Sequence, residues 1–467
     1  MKNTILTLAL FLMSLFAFAQ SIEGNWNGAL DIQGTQLPLV FHIETKDGKL
    51  IATMDSPSQK AFGIPVQNTS FESNELSIGM PNLKINYKGK PNNDFSEIEG
   101  TFYQMGMEIP LKLSRNAIKK VALVRPQTPK GPFPYREEEV TFKNDKEGIT
   151  LAGTLTLPNK KGNYPVVVLI TGSGAQDRNE EIFEHKPFAV IADDLTRKGI
   201  AVLRIDDRGV GRSTGSFLNS TTADFATDII AAIAFLKTKN EINSKKIGLI
   251  GHSEGGMIAS MVAAQSKDVH FIVLMAAPGT GIDELMVEQT ARAEKLAGIN
   301  DDFIKRNSDL FRGVCAIIKK GESNDLEEQL TAYLKENMPK LPEEMRPKTE
   351  EELNDAIANQ VKIVTGKWFQ YFIKYIPSEN LSKIKCPVLA INGALDFQVP
   401  STDNLKAIQA ALVKGQNKKI KVVELPGLNH LFQEATTGAY EEYAKIEQTI
   451  SPKALEVMTT WIIAQTK

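Results

Sequence analysis

Ser253 stands in the stretch Leu-Ile-Gly-His-Ser-Glu-Gly-Gly-Met (249–257), where an apolar run breaks into small residues and then turns apolar again. A small-x-Ser-x-small pattern between a predicted strand and a predicted helix can hold one serine at a sharp, exposed turn, where a nucleophile must sit. Gly251 and Gly255 occur at the spacing where larger side chains would clash across that turn. A serine held there has strained backbone angles, at a cost on the order of 1–3 kcal/mol. It also caps a helix N-terminus, whose N–H groups favour developing negative charge. A glycine-rich turn with an incidental serine fits the same residues, so the reading depends on partners elsewhere in the chain.

A serine hydroxyl needs a base. The chain has five histidines: His42, His185, His252, His270 and His430. His252 adjoins the serine and should point elsewhere, as packing. His270 opens a strand, His185 lies in a polar loop and reads as peripheral, and His42 alone on a strand reads as structural. His430, in Leu-Pro-Gly-Leu-Asn-His-Leu-Phe, follows a predicted strand at 419–425. A loop at a strand's carboxyl end is where a parallel sheet gathers an active site. The base in turn needs an orienting carboxylate. Asp396, in Ile-Asn-Gly-Ala-Leu-Asp-Phe-Gln-Val-Pro, also follows a predicted strand, with Asp283 as second choice.

An acyl-transfer site further requires donors for an oxyanion. The N–H of Glu254, next after the serine, is one. The other is expected in Thr-Gly-Ser-Gly-Ala-Gln-Asp-Arg-Asn-Glu (171–180), from Ser173 or, failing that, Gly174. Asp177, Arg178 and Glu180 should line the rim, either as an ion network or as substrate-recognising groups. Asp-Asp-Arg-Gly-Val-Gly-Arg-Ser-Thr-Gly (206–215) invites a phosphate-loop reading, but its spacing does not fit one, and a rim-shaping turn is preferred.

The elements that must position these residues are legible from residue 139 onward. A hairpin at about 139–158 precedes the continuous apolar run Tyr-Pro-Val-Val-Val-Leu-Ile (164–170), as a strand buried on both faces requires. Strands at 200–206, 246–251 and 270–277 alternate with helices near 187–198, 221–239 and up to 266. That alternation implies a parallel sheet with right-handed crossovers. Residues 280–376 then show helical spacing, and strands return at 386–393 and 419–425 before a last helix at 452–464. The helical block reads as an insertion capping the carboxyl edge of the sheet. Upstream, 20–115 carries short alternating runs punctuated by Gly, Asn and Pro, as in a small antiparallel barrel or sandwich, with Trp26 placed to plug one end. Residues 116–138, with prolines at 126, 129, 132 and 134, read as a stiff linker.

Length and composition bound the rest. At roughly 150 residues per domain, 467 residues suggest two or three compact units. A net charge of −2 gives no strong pull toward nucleic acid or an anionic membrane. Lys2, the apolar run behind it and Ala17-Phe18-Ala19 predict a cleaved secretory leader over 1–19, so the mature protein would be periplasmic or extracellular. No later segment approaches membrane-spanning length. Cys315 and Cys386, the only cysteines, lie far apart; export would allow one disulfide between them, and buried free thiols are the preferred reading. No metal-ligand spacing is seen, so neither metal nor cofactor is expected.

Taken together, Ile-Thr-Gly-Ser-Gly-Ala-Gln-Asp-Arg-Asn-Glu, Asp-Asp-Arg-Gly-Val-Gly-Arg-Ser-Thr-Gly, Gly-His-Ser-Glu-Gly-Gly, Gly-Ala-Leu-Asp-Phe-Gln-Val-Pro and Gly-Leu-Asn-His resemble the α/β-hydrolase superfamily. Within it they look most like bacterial two-domain carboxylesterases, with an N-terminal β domain and a helical cap. The order Ser253, Asp396, His430 is that of the superfamily's triad. The resemblance covers 140–467 well and 20–115 loosely. Thr171 departs from it, since many relatives carry histidine before the oxyanion glycine. The resemblance implies hydrolysis of a small-molecule carboxylic ester through an acyl-enzyme. An aminopeptidase with the same triad, in which Glu254 and the acidic loop bind a substrate amine, and a catalytically inactive binding protein are the alternatives.

Overall fold

The structure, a computed structural model of the chain, describes residues 21–32, 35–57, 61–104, 107–116, 123–159, 161–320, 325–343 and 346–467. The expected leader at 1–19 lies outside them, as do residues 117–122 of the expected linker. The described residues divide into two compact units, with the division at Ala122 and Leu123.

The N-terminal unit is one antiparallel sheet. Its strands are β1 (Gly24–Ile32), β2 (Thr35–Lys46), β3 (Lys49–Ser56), β4 (Ala61–Pro65), β5 (Asn68–Glu72), β6 (Glu75–Met80), β7 (Ile85–Pro91), β8 (Glu97–Gln104) and β9 (Met107–Ser114). They run in the order β4-β3-β2-β1-β9-β8-β7-β6-β5. The period of two is explicit in β7, where Ile85 and Tyr87 are buried while Asn86, Lys88 and Lys90 are exposed. Inward residues form one core with Trp26 among the most buried. The indole Nε1 donates to the Ile22 carbonyl at 2.7 Å, and the Arg115 guanidinium covers its ring at 3.7 Å. His42 is structural, bridging strands through Asn25 Oδ1 and Asp55 Oδ2, both at 2.8 Å. The β4 and β5 strands escape sequence reading because they are short and mostly exposed, with no apolar alternation.

The second unit carries a mixed sheet of β10 (Tyr135–Asn144), β11 (Ile149–Pro158), β12 (Tyr164–Ile170), β13 (Ala201–Ile205), β14 (Ile242–His252), β15 (Val269–Met275), β16 (Val388–Gly393) and β17 (Ile420–Leu425). The order is β10-β11-β13-β12-β14-β15-β16-β17. The β10–β11 hairpin is antiparallel, β11 meets β13 antiparallel, and the pairings from β13 through β17 are parallel. The apolar run of β12 is explained by two cores. Val166, Val168 and Ile170 pack on one face, and Val167 and Leu169 on the other.

Helices α1 (Pro187–Arg197), α2 (Thr222–Lys237) and α3 (Glu254–Gln265) follow β12, β13 and β14. The α2 helix starts at a capping box in which Thr221 and Asp224 satisfy each other's backbone N–H. Between β15 and β16 come α4 (Ile282–Leu296), α5 (Asp301–Lys320), α6 (Leu326–Asn337), α7 (Glu350–Val364), α8 (Lys367–Lys374) and α9 (Pro377–Leu381). Then α10 (Ser401–Lys414) joins β16 to β17, and α11 (Tyr440–Tyr443) and α12 (Pro452–Thr466) complete the chain. α10 and α11 were not anticipated from sequence. One face of the sheet packs α2, α3 and α10, the other α1 and α12.

The proline-rich stretch differs from the expected linker over its described second half. From Leu123 it is fastened to this unit. Arg125 donates to the carbonyls of Phe183 and Ala444, both at 2.8 Å from Nη2, and Gln127 brackets Thr449 and Ile450. β10 then begins at Tyr135, inside the stretch read as linker. Cys315 and Cys386 are free thiols. Among the described residues no helix is long and apolar enough to cross a membrane, and no cluster of His, Cys, Asp and Glu could hold a metal.

Candidate active site

The β14–α3 turn is closed by glycine packing. A side chain on Gly255 would collide with the carbonyls of Ile170 and Thr171, and one on Gly251 with the carbonyl of Gly255. Backbone therefore meets backbone across the turn, and Ser253 is pushed to φ 53, ψ −118. Its N–H donates to the Met275 carbonyl at 2.8 Å, and its carbonyl accepts the Gly256 N–H at 2.9 Å. These bonds hold the strained residue from both sides. Its side chain makes no capping bond to the helix it starts.

Asp396 and His430 meet. The loop after β16 brings Asp396 Oδ2 within 2.8 Å of His430 Nδ1, with both side chains buried. The other oxygen, Oδ1, accepts the N–H groups of Gln398 at 2.8 Å and Val399 at 2.9 Å, which fixes the carboxylate plane. Asp283 is not at this site. It lies on α4 and pairs with Lys319.

Ser253 and His430 line one cavity of about 230 Å³. Gly172, Ser173 and Gln176 form one side of it. Leu285, Met286 and Gln289 of α4, with Trp368 and Phe372 of α8, bring the inserted helices to it, and Tyr440 and Tyr443 of α11 complete the wall. The helical block thus covers the carboxyl ends of the strands.

The loop after β12, where an oxyanion donor is expected, is braced by two carboxylates. Gly172 donates its N–H to Glu180 Oε1 at 2.6 Å. Thr171 Oγ1, where relatives were expected to have histidine, donates to Asp207 Oδ1 at 2.8 Å, and the Gln176 N–H reaches Oδ2 at 2.9 Å. Burial pushes the Asp207 carboxyl up to about 8, with the Gln176 and Thr171 bonds working the other way. Gly172 is thus occupied, whereas Ser173 lines the cavity and its N–H has no acceptor among the described residues. Glu254 is the first residue of α3, so its N–H has no intrahelical acceptor either. Its side chain is buried and accepts from Thr222 Oγ1 at 2.6 Å and Trp368 Nε1 at 2.9 Å, which ties the cap to the turn.

Asp177 and Arg178 do not line the cavity. Arg178 is engaged by Asp206 and Glu139, both at 2.7 Å, and stays strongly basic because of those hydrogen bonds. Asp177 accepts the backbone N–H groups of Asn179 and Glu181, both at 3.0 Å, and so shapes its own turn. Of the two rim alternatives, the ion network is the one formed. The 206–215 turn serves the same bracing. Asp206 holds Arg178, Asp207 holds the loop after β12, and Arg208 is buried against Asp228 with Nε to Oδ2 at 2.8 Å. His185 is not peripheral. It is 1% exposed, bonded to Thr449 and Tyr443, and burial lowers its pKa to about 4.

Sequence reasoning missed Trp368, Phe372, Tyr440 and Tyr443. The aromatic density of Lys-Trp-Phe-Gln-Tyr-Phe-Ile-Lys (367–374) was the one available signal. It also read His252 as packing, whereas that ring bridges Glu180 and the His430 backbone.

The doubly covered sheet, the strained turn and the helical insertion define an α/β-hydrolase. The family profile described as X-Pro dipeptidyl-peptidase (S15 family) matches residues 147–422, more than half of the chain. The chain belongs to that family of serine hydrolases. Esterase EstD of Thermotoga maritima is 25% identical over 300 residues, which cover 64% of this chain and 61% of that protein, under two thirds of its length. An uncharacterized 31.7 kDa protein of Escherichia coli is 25% identical over 329 residues, covering 69% of this chain and 98% of the relative. Among solved structures, the Pyrococcus furiosus esterase Pf2001 is similar with a TM-score of 0.41 at 16% identity, over 72% of this chain and 94% of that one. The α/β hydrolase GrgF of a Penicillium species gives 0.42 at 19%, over 72% and 99%.

Proposed function

We propose that the protein is an exported serine hydrolase that cleaves carboxylic esters with an uncharged acyl group. His430 takes the proton of Ser253 as its Oγ attacks the ester carbonyl. The N–H groups of Ser173 and Glu254 receive the oxyanion, and His430 returns the proton to the departing alcohol. Water then repeats the sequence on the acyl-enzyme. Asp396 keeps the imidazole in the tautomer that accepts at Nε2 and stabilises its charged form. No step calls for a metal or cofactor.

The observation that carries ester over peptide is the cavity's charge. Among the described residues Glu180 is its sole carboxylate, and it is already committed to the Gly172 N–H and to His252. An exopeptidase needs a free anion to hold the substrate's amine. Glu254, the other candidate for that task, is not on the cavity wall and its carboxylate is committed to Thr222 and Trp368. Peptide cleavage is the second reading, favoured by the description of the matching family.

Turnover on p-nitrophenyl acetate and butyrate, compared with Ala- and Gly-Pro-p-nitroanilide, separates the two. The esters are expected to be the faster substrates by at least about 100-fold, a difference near 3 kcal/mol in transition-state binding. Anilide turnover equal to or above the ester's would replace this reading with the peptidase. Export rests on the leader at 1–19. Mature protein from a bacterial host is expected to begin at Gln20, and N-terminal sequencing that returns Met1 would remove that part of the proposal.

A further inference from the structure

His252 has an acceptor on each side of its ring. Nδ1 lies 3.0 Å from Glu180 Oε1, and Nε2 lies 3.0 Å from the backbone carbonyl oxygen of His430. A carbonyl oxygen never donates, so Nε2 must carry a proton. Glu180 Oε1 also accepts the Gly172 N–H at 2.6 Å, as an ionised carboxylate oxygen does well. The Nδ1 bond then needs its own ring proton. The hydrogen-bond count is closed by an imidazolium.

Glu180 is itself held in an unusual state. It sits at φ 52, a left-handed conformation that side chains rarely adopt, and is 7% exposed. Strain of this kind persists only where the surroundings enforce it. One carboxylate thereby joins two loops. It grips the oxyanion loop directly, and through His252 it grips the backbone of the residue that acts as base.

We propose that His252 is a positioning residue that works as a protonated strut, locking the His430 loop to the oxyanion loop, and that loss of its proton sets the alkaline limit of activity. This rests on the reading of Ser253 and His430 as nucleophile and base. The groups facing His252 are Glu180 from the loop after β12, Asp396 from the loop after β16, and His430, whose ring centroid is 4.8 Å away. Phe432 closes the fourth side at 6.3 Å. Because Glu180 balances the charge, the pair is neutral overall and does not oppose the positive charge that His430 takes up during the reaction.

The direction of titration agrees. Burial disfavours the charged ring, but the charge and hydrogen bond of Glu180, the His430 carbonyl and Asp396 outweigh it and hold the His252 pKa above the usual imidazole value. A raised folded-state pKa means the stabilisation is fully present below the ordinary imidazole range. It fades as pH rises through the raised value. Above it, Nδ1 or Nε2 loses its proton, and one of the two loops is released.

The test uses the full chain. Ring ¹⁵N NMR of histidine-labelled wild type at neutral pH is expected to show both His252 nitrogens protonated, and a single ring proton overturns the proposal. His252→Gln keeps a donor but does not titrate. It is expected to lose the alkaline limb of the kcat profile and to lower kcat by roughly 10–100-fold, the worth of one charge-assisted hydrogen bond, with KM nearly unchanged. Fluorophosphonate labelling is run alongside. Wild type that labels at Ser253, with the alkaline limb intact in His252→Gln, overturns this proposal alone. Wild type that does not label overturns the reading beneath it. Should the variant fail to fold, the wild-type ring spectrum decides.

Discussion

Replacing Ser253 with alanine is expected to lower ester turnover by about 10⁴-fold or more while leaving the protein folded. Both halves follow from the turn. The strained φ of 53 is imposed by backbone packing around Gly251 and Gly255, not by the serine side chain, which makes no capping bond. Alanine inherits the same strain and forfeits no structural hydrogen bond, so stability should change by less than about 1 kcal/mol. What is removed is the hydroxyl that stands at the strained turn and shares the cavity wall with His430 and Ser173. Steady-state hydrolysis of p-nitrophenyl butyrate, with a thermal melt as control, measures it. A variant that melts like wild type and retains more than a hundredth of its activity would show that another group attacks the ester.

Asp396→Asn should be nearly as damaging, at about 10⁴-fold in kcat. The reason is the two-sided grip on the carboxylate. Oδ1 accepts two backbone N–H groups, from Gln398 and Val399, while Oδ2 faces His430 Nδ1. Asparagine has one acceptor oxygen, and the pair of N–H donors will claim it. Its NH₂ group is then presented to Nδ1. The imidazole must accept there, so its proton moves to Nε2, where the base should be vacant. The fold survives, but the tautomer is wrong. A kcat within tenfold of wild type would mean that Asp396 does not orient the base.

Much of this site was legible in sequence for one physical reason. Ser253 and Asp396 each follow a strand that ends in a run of buried residues, His430 follows the half-exposed but β-branched β17, and glycine marks the turn in each case. The helical insertion was legible as well, because α5 and α7 repeat their apolar positions with the period of a helix. What stayed hidden depends on contacts between distant segments. Arg178 looks like a rim residue until Asp206 and Glu139 close on it. His252 looks like packing until β12 and β17 deliver Glu180 and the His430 carbonyl to its two nitrogens. Polar residues in loops carry no period, so their partners cannot be read from spacing. The short strands β4 and β5 failed for the related reason that an exposed edge needs no apolar face.

The insertion between β15 and β16 orders events in time. The Ser253 turn follows β14, ahead of the helical block, whereas Asp396 and His430 follow strands synthesised after the whole of that block. Those last strands must dock edgewise onto a sheet begun more than a hundred residues earlier, the kind of remote closure that makes assembly slow. A nascent or prematurely ended chain therefore carries a serine with no partner to deprotonate it. Under the proposed reading, hydrolysis becomes possible only when the last strands dock, after the helical block is already made.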